Sequence, residues 1–198
     1  MRRNKGFTII ELLMVVVLIS VLMTIVVTAA SNSIKAARRN RNEAARVALE
    51  AAIATYQAAD SNGRWPGALQ SVAESGESRV LSDSEGQNVF RILVQKSTGE
   101  SGAQMVLIDP HLLYVAPTGG GEGKANGLSF DDARQGDAHR RKLPVAQMDF
   151  GYQASGSGKF YTFKVLYNAK TDSVQVRACC QRCVGINGCR DGSCRCHE

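Results

Sequence analysis

The stretch KGFTIIELLMVVVLIS, residues 5–20, decides the fold because it places one carboxylate, Glu11, inside an apolar run. Residues 7–30 form a segment of 24 residues in which Glu11 is the only ionisable group. At about 1.5 Å per residue, a helix of this length reaches roughly 36 Å, and the hydrocarbon core of a bilayer is about 30 Å thick. The sequence therefore predicts a membrane-spanning helix over residues 7–30.

Basic residues flank the predicted span on both sides, so charge alone does not orient it. Those before it are Arg2, Arg3 and Lys5, and those after it are Lys35, Arg38, Arg39 and Arg41, which we expect to lie solvated near lipid headgroups. The very short N-terminal tail favours a cytoplasmic N-terminus. The cysteines, all near the C-terminus, fit an oxidising compartment better than a reducing one. We therefore expect the body of the protein to be exported.

A cleaved secretory signal peptide is the alternative interpretation of the same segment. The stretch VVTAAS, residues 26–31, offers Val27 and Ala29 as the small residues of a cleavage site, after which the chain begins at Ala30. Against it, the apolar region exceeds the usual ~7 to 15 residues, and Glu11 interrupts it early. A charge at the middle of a bilayer costs about 2.5 to 3.5 kcal/mol, so Glu11 needs a partner, and the span contains no basic residue.

The N-terminal stretch KGFTIIELLMVVVLI resembles the N-terminus of type IV prepilins and of the pseudopilins of type II secretion. The resemblance implies a short basic leader, residues 1–6, that a prepilin peptidase removes by cutting between Gly6 and Phe7. It also implies N-methylation of Phe7 and a mature helix whose first part, residues 7–30, lies in the membrane or in a filament core.

The same resemblance implies a location and a set of partners. The chain is expected in the inner membrane as a single-pass protein, with its N-terminus in the cytoplasm and its head in the periplasm or in an extracellular filament. The expected partners are the prepilin peptidase, other pilin or pseudopilin subunits, the inner-membrane assembly platform and, before assembly, membrane lipid. The expected role is that of a structural subunit of a type IV pilus or a type II secretion pseudopilus.

A cut after Gly6 gives Glu11 a physical role. It creates a positive amine on Phe7, and staggered packing of helices brings Glu11 of one subunit to the Phe7 amine of the next. At about 4 Å, two unit charges attract by about 4 kcal/mol at an effective dielectric constant near 20, which offsets the penalty of burying either charge alone. We therefore expect Glu11 to set the register of assembly.

The helix is predicted to continue through its exported half, residues 31–59. A set of mostly small or apolar residues recurs at spacings that suit one helical face, with Arg41 as the exception: Ile34, Ala37, Ala45, Ala48, Ala52 and Tyr56. The stretch DSNGRWP, residues 60–66, then favours a turn and ends the helix. The small-residue face is expected to pack on a globular head at residues 60–178.

The head shows mixed patterns. GQNVFRILVQKS, residues 86–97, has apolar residues at helical spacing, whereas AQMVLID and HLLYVA, residues 103–109 and 111–116, are short apolar runs that predict buried strands. GKFYTFKVLYNAKTDSVQVRA, residues 158–178, alternates from Phe160 to Tyr167 and predicts a strand pair joined by the loop NAKTD. This order matches the pilin layout. The predicted fold class is α+β and pilin-like: a long N-terminal α-helix, transmembrane in its first half, packed on a small antiparallel β-sheet head with a Cys-rich C-terminal tail.

Residues 117–142 are rich in glycine and charge and have little to bury, so we expect an exposed loop. Asp131, Asp132 and Asp137 within it are weak candidates for calcium, which some major pseudopilins bind in a loop of the head. Their spacing lacks the pattern of a dedicated calcium loop. No cofactor is expected.

The tail, residues 179–198, holds all six cysteines: Cys179, Cys180, Cys183, Cys189, Cys194 and Cys196. In an oxidising compartment an even number of cysteines favours disulfide bonds, which we expect, although the sequence does not choose among the pairings. Two alternatives stay open. One is a metal site built from Cys180-x-x-Cys183 and Cys194-x-Cys196 with His197 nearby, and the other is a redox-active Cys-x-x-Cys pair.

Composition and motifs give little support for a nucleic-acid partner or for enzymatic chemistry. The formal net charge is +6, but the basic residues at positions 2–5 supply half of it. The three histidines, His111, His139 and His197, are scattered, and no nucleophile motif accompanies them. We therefore expect no enzyme. The alternative to a filament subunit is a secreted or membrane-anchored Cys-rich binding protein with no filament role.

Overall fold

Residues 8–100, 102, 105–119, 126–136, 142–154 and 159–178 are described by the computed structural model. The chain divides into two compact units, Met1–Ala37 and Arg38–Glu198. Helix α1, Ile9–Ala59, begins in the first unit and ends in the second.

The first unit contains the apolar part of α1. Its large apolar side chains are exposed from Ile9 to Ile34, and among the described residues α1 is the one helix long and apolar enough to cross a membrane. Its hydroxyl groups donate to backbone carbonyls three or four residues earlier: Ser20 to Val16, Thr24 to Ser20, Thr28 to Thr24 and Ile25, Ser31 to Val27, and Ser33 to Ala29. These hydroxyls are therefore satisfied within the helix, as a lipid environment requires. The predicted long apolar helix is confirmed.

In the second unit, α1 contributes one face to the core of the head. Its buried residues share one helical face, because Leu49 lies three or four positions from each of the others: Ala45, Ala52 and Ile53. After Ala59, the Asp60 side chain accepts a hydrogen bond from the backbone N–H of Asn62, and Gly63 takes a φ of 63°. The helix thus ends at the turn that the sequence indicates.

Beyond α1, the described part of the head contains helices α2 (Ala68–Ser75), α3 (Asp83–Thr98) and α4 (Phe130–Gln135). Its strands are β1 (Arg79–Val80), β2 (Tyr114–Pro117), β3 (Leu128–Ser129), β4 (Met148–Gln153), β5 (Phe160–Thr162), β6 (Lys164–Asn168) and β7 (Ser173–Arg177). Two 3-10 turns, Pro110–Leu112 and Val145–Gln147, precede β2 and β4. The strands form two antiparallel sheets, in the orders β1-β6-β7 and β3-β2-β4-β5. The α+β, pilin-like fold class is confirmed, while the Cys-rich tail lies outside the described residues.

Helix α3 is capped at its start. The Ser82 side chain accepts a hydrogen bond from the Glu85 backbone N–H, and the Glu85 carboxylate accepts one from the Ser82 backbone N–H, which together form a capping box. The Arg79 guanidinium and then Ser82 lower the pKa of Glu85 to about 2. The helix predicted over residues 86–97 is confirmed and begins earlier, at Asp83, because its cap precedes the apolar run. Helix α2 was not predicted.

The strand predicted over residues 103–109 is wrong for its described part. Residues 105–109 have no regular structure, because the backbone N–H groups of Leu107 and Ile108 bond to the Ser97 side chain instead of a neighbouring strand. The strand predicted over residues 111–116 begins to pair only at Tyr114, because a 3-10 turn occupies Pro110–Leu112.

The exposed loop predicted over residues 117–142 is also wrong in part. Strand β3 and helix α4 lie within it, and Phe130 and Ala133 are buried. Ser129 caps α4 by accepting a hydrogen bond from the Asp132 backbone N–H. One cap and two buried side chains fix a short helix that the polar composition of the segment does not reveal.

The strand predicted from Phe160 to Tyr167 is divided between the two sheets. Strand β5 pairs with β4, whereas β6 pairs with β7 and β1, and Phe163 between them belongs to neither strand. Burial changes phase at this point, because Phe160 and Thr162 are buried before it, and Phe163 and Val165 after it. The predicted hairpin through NAKTD is confirmed for β6 and β7.

Where β5 leaves β4, helix α3 supplies the missing hydrogen bonds of the strand edge. The Gln87 carboxamide accepts from the Phe150 N–H at 2.6 Å and donates to the Phe150 carbonyl at 2.8 Å. One turn later, the Nε of Arg91 donates to the Met148 carbonyl at 2.9 Å. Two side chains of one helix thus occupy the place that a continued β5 would take beside β4.

Candidate functional site at the start of helix α1

Thr8 and Glu11 form a capping box at the start of α1. The Thr8 carbonyl accepts the hydrogen bond of the Leu12 N–H at 3.2 Å, so Thr8 is the N-cap residue. The Thr8 N–H and hydroxyl donate to Glu11 Oε2 at 2.9 and 2.8 Å, and the Glu11 N–H donates to Thr8 Oγ1 at 3.4 Å. The exposed Glu11 carboxylate, which would need a partner inside a membrane, therefore has one within its own chain, and the positive end of the helix dipole adds to its stabilisation.

The two oxygens of the Glu11 carboxylate are used unequally. Both hydrogen bonds from Thr8 reach Oε2, and no described residue donates to Oε1. A carboxylate oxygen has room for two donors, so Oε1 is available to a group from outside the described chain. Around it, Ile9, Ile10 and Leu12 are exposed apolar side chains. The site can thus accept a cationic donor in an apolar surrounding.

Thr8 was not among the predicted site residues, although the sequence contains a signal for it. The pattern T-x-x-E before an apolar run is that of a capping box. Gly6 and Phe7 lie outside the described residues, so the cleavage and methylation predictions stay predictions.

Arg41 joins α1 to the segment before β2. Its guanidinium donates to the carbonyls of His111 at 2.6 Å and Leu112 at 3.3 Å, and to the Tyr114 hydroxyl at 3.2 Å. The same group lies 4.1 Å from the centre of the Tyr114 ring, in a cation–π contact. The prediction of a wholly solvated basic patch is therefore wrong for Arg41. The arginine interrupts the small-residue face of the helix because it binds the head.

Replacing Arg41 is expected to loosen the head without affecting the membrane span. Arg41→Ala removes three hydrogen bonds and a cation–π contact, and we expect a loss of about 2 kcal/mol in the free energy of unfolding. Urea unfolding of the full chain in detergent measures it. Arg39→Ala, which removes an exposed arginine nearby, is the control and should change the value by less than about 0.5 kcal/mol. Equal effects of the two variants would contradict the role of Arg41.

A cleft of about 360 Å³ opens beside the start of α3. Arg91 and Asp149, which line it, form an ion pair with 2.6 Å between Nη2 and Oδ1. Asp83, on another wall, is paired with the buried Lys164. Each charged group lining the cleft therefore has a partner inside the head, and nothing in the cleft selects a charged ligand.

Two of the three calcium candidates have other partners. Asp131 Oδ2 lies 3.0 Å from Nδ1 of His111, and Asp132 accepts a hydrogen bond from the Ser129 hydroxyl at 2.7 Å. Across the ranges that the structure describes, no group of three or more His, Cys, Asp or Glu side chains could hold a metal ion. Asp137 and the six cysteines lie outside these ranges, so the calcium and disulfide predictions stay untested.

Residues 1–27 match the family model of the prokaryotic N-terminal methylation motif. No curated protein and no solved structure matches the chain. The motif is the signature of type IV pilins and pseudopilins, and it includes the Thr8–Glu11 capping box. It implies processing by a prepilin peptidase and assembly with other pilin subunits. The chain thus combines a pilin-type N-terminus with a pilin-like α+β fold.

Proposed function

We propose that the chain is a structural subunit of a type IV pilus or of a type II secretion pseudopilus. The prepilin peptidase cuts between Gly6 and Phe7, the new amine of Phe7 is methylated, and subunits assemble by packing their α1 helices. Glu11 of one subunit pairs with the Phe7 amine of a neighbour. The observation that carries this proposal is the position of Glu11 inside the methylation motif, at the start of an exposed apolar helix, with one carboxylate oxygen open.

The exposed surface of α1 supports assembly by helix packing. The large apolar side chains between Ile9 and Val27 are 45% to 85% exposed, and an apolar surface of this extent marks a contact with membrane or protein. Before assembly, lipid covers it. In the filament, the helices of other subunits replace the lipid.

The proposed organisation assigns each segment of the chain a place in the membrane or in the filament. Residues 1–6 are the leader, residues 7–30 the span and filament core, residues 31–59 the exported half of the helix, residues 60–178 the head and residues 179–198 the Cys-rich tail. The subunit enters the inner membrane once, with its N-terminus in the cytoplasm, and the assembly platform extracts it. The head lies in the periplasm or in an extracellular filament, where disulfide bonds of the tail form.

Processing at Gly6 is the first test of this proposal. In cells that contain the prepilin peptidase, the intact mass and N-terminal sequence of the membrane-purified protein should show a methylated Phe7. Gly6→Leu is expected to abolish the cut, because a side chain at this position obstructs close approach of the enzyme to the backbone.

Ala29→Leu is the matched control, because it blocks the alternative signal-peptide site and leaves the pilin-type site intact. It should be processed like the wild type. A wild-type chain that begins at Ala30, and that Ala29→Leu abolishes, would overturn the proposal in favour of a secreted Cys-rich binding protein.

A further inference from the structure

We propose that Lys35, Arg38 and Arg39 bind the anionic phosphate groups of phospholipids in the membrane that α1 spans. These three residues, here called the basic collar, lie on α1 shortly after its apolar part, which is long and apolar enough to cross a membrane. The proposal needs that span, but it needs neither cleavage after Gly6 nor assembly of subunits. It therefore stands or falls separately from the role proposed for Glu11.

The collar residues share one face of the helix. Arg38 and Arg39 follow Lys35 by three and four positions, and side chains at these spacings are neighbours on a helix surface. Lys35 and Arg39 are exposed, and Arg38 is half-buried. About one turn of α1 therefore presents three positive charges together.

The collar has no acidic partner in the described part of the chain. No aspartate or glutamate occurs from Leu12 to Asn42. The first carboxylate after the collar, that of Glu43, is bound to the Arg46 guanidinium through both of its oxygens, at 2.6 to 3.0 Å. Within the ranges that the structure describes, no ion pair and no side-chain hydrogen bond includes a collar residue. The three charges are thus available to an anionic group from outside these ranges.

The position of the collar along α1 suits the headgroup layer of a bilayer. At about 1.5 Å per residue, the Cα atoms of Lys35 and Arg39 lie about 7.5 and 13.5 Å beyond Ala30, where the predicted span ends. The headgroup layer extends about 5 to 7 Å beyond the hydrocarbon core on each side. Helical side chains lean toward the N-terminus, here toward the membrane, and the long apolar stems of lysine and arginine carry their charged ends further in that direction. The charged ends of the collar thus reach the surface of this layer.

The proposed orientation of the chain gives the collar a reason to bind lipid. Basic residues are disfavoured on the exported side of a membrane, which is where we place the collar. The next basic residue of α1, Arg41, bonds to the segment before β2 instead. Anionic lipids attract basic residues that lie next to a membrane span. Their phosphate groups supply the counter-charge that the described part of the chain does not give the collar.

The lipid selectivity of the full chain in vesicles tests this proposal. The vesicles consist of phosphatidylcholine with phosphatidylglycerol as the minor component, and electron spin resonance of spin-labelled forms of both lipids reports which of them contacts the protein. All chains carry Arg2→Gln, Arg3→Gln and Lys5→Gln, so that the leader does not attract lipid at the other end of the span. We expect the intact collar to prefer phosphatidylglycerol about fivefold at low salt, the effect of one basic residue near an anionic surface, and high salt to reduce this preference.

Replacing all three collar residues by glutamine should reduce the preference for phosphatidylglycerol to less than about twofold. The matched control removes three cations of the head, with Arg64→Gln, Lys96→Gln and Lys170→Gln, and lowers the net charge by the same amount. This control should keep the fivefold preference. Urea unfolding followed by Trp65 fluorescence will show whether the head is intact in both variants.

The outcomes separate lipid binding from two alternatives. Equal losses in the collar variant and in the head variant would show a general effect of net charge and overturn the proposal. A collar that pairs with acidic residues of a second copy instead would give no lipid preference even with its three residues intact. That result would also overturn lipid binding, and it would leave the proposed filament role of α1 unchanged.

Discussion

Gln87→Met is expected to destabilise the head by about 2 to 6 kcal/mol, because it leaves two buried backbone groups without partners at about 1 to 3 kcal/mol each. Gln87 is 4% exposed, and its carboxamide bonds both the N–H and the carbonyl of Phe150. Methionine has a similar volume, so the loss measures hydrogen bonding and not a cavity. The single tryptophan, Trp65, is buried against the Tyr167 ring, so its fluorescence during urea unfolding of the full chain reports on the head.

Two further variants control for this result. Asn88→Ala changes the next residue of α3, which is exposed, and should alter the free energy of unfolding by less than about 0.5 kcal/mol. Gln87→Glu keeps an acceptor for the Phe150 N–H but offers no donor to the Phe150 carbonyl, so it should also be destabilising. If Gln87→Met were as mild as Asn88→Ala, the proposed completion of the strand edge by α3 would be wrong.

The two long helices, α1 and α3, were the predictable part of the fold, because their signals are local. The end of α1 follows from the turn residues at 60–66, and α3 follows from apolar residues at helical spacing. Both patterns lie within a few turns of the chain. Each pattern therefore predicts its structure from neighbouring residues alone.

The division of β5 from β6 was not predictable in the same way. From Phe160 to Tyr167 the alternation reads as one strand, and the shift at Phe163 depends on pairing with residues elsewhere in the chain. In this chain, the indirect signal that β5 leaves β4 is a polar residue on the buried face of α3, which bonds the strand edge. Gln87 is that residue, and it is in the sequence next to apolar positions of α3.

The charged residue of the candidate site, Glu11, was predictable from the sequence, whereas the hydrogen bonds that it makes were not. Glu11 is the one ionisable group of the apolar run, and the span contains no basic residue to pair with it. The hydrogen-bonded partner is Thr8, three residues before it, which the capping-box pattern indicates. Arg41 shows the same point for the head, since its partners are backbone carbonyls that no sequence pattern marks.

Glu11→Gln is expected to lower the assembled fraction at least about 100-fold, which corresponds to about 2.7 kcal/mol. The paired charges attract by about 4 kcal/mol at about 4 Å and an effective dielectric constant near 20, and the amide retains only part of this. Glutamine also serves at the third position of a capping box, so the start of α1 is preserved. Processing at Gly6 and membrane insertion should therefore be unchanged, as intact mass and membrane fractionation will show.

Glu77→Gln removes an exposed carboxylate of the head and is the matched control for Glu11→Gln. It should assemble like the wild type, because its charge lies in solvent and not at the start of α1. A Glu11→Gln variant that assembles as well as Glu77→Gln would mean that Glu11 serves α1 only as a cap. The charge itself would then have no part in joining subunits, because the amide provides the same cap without it.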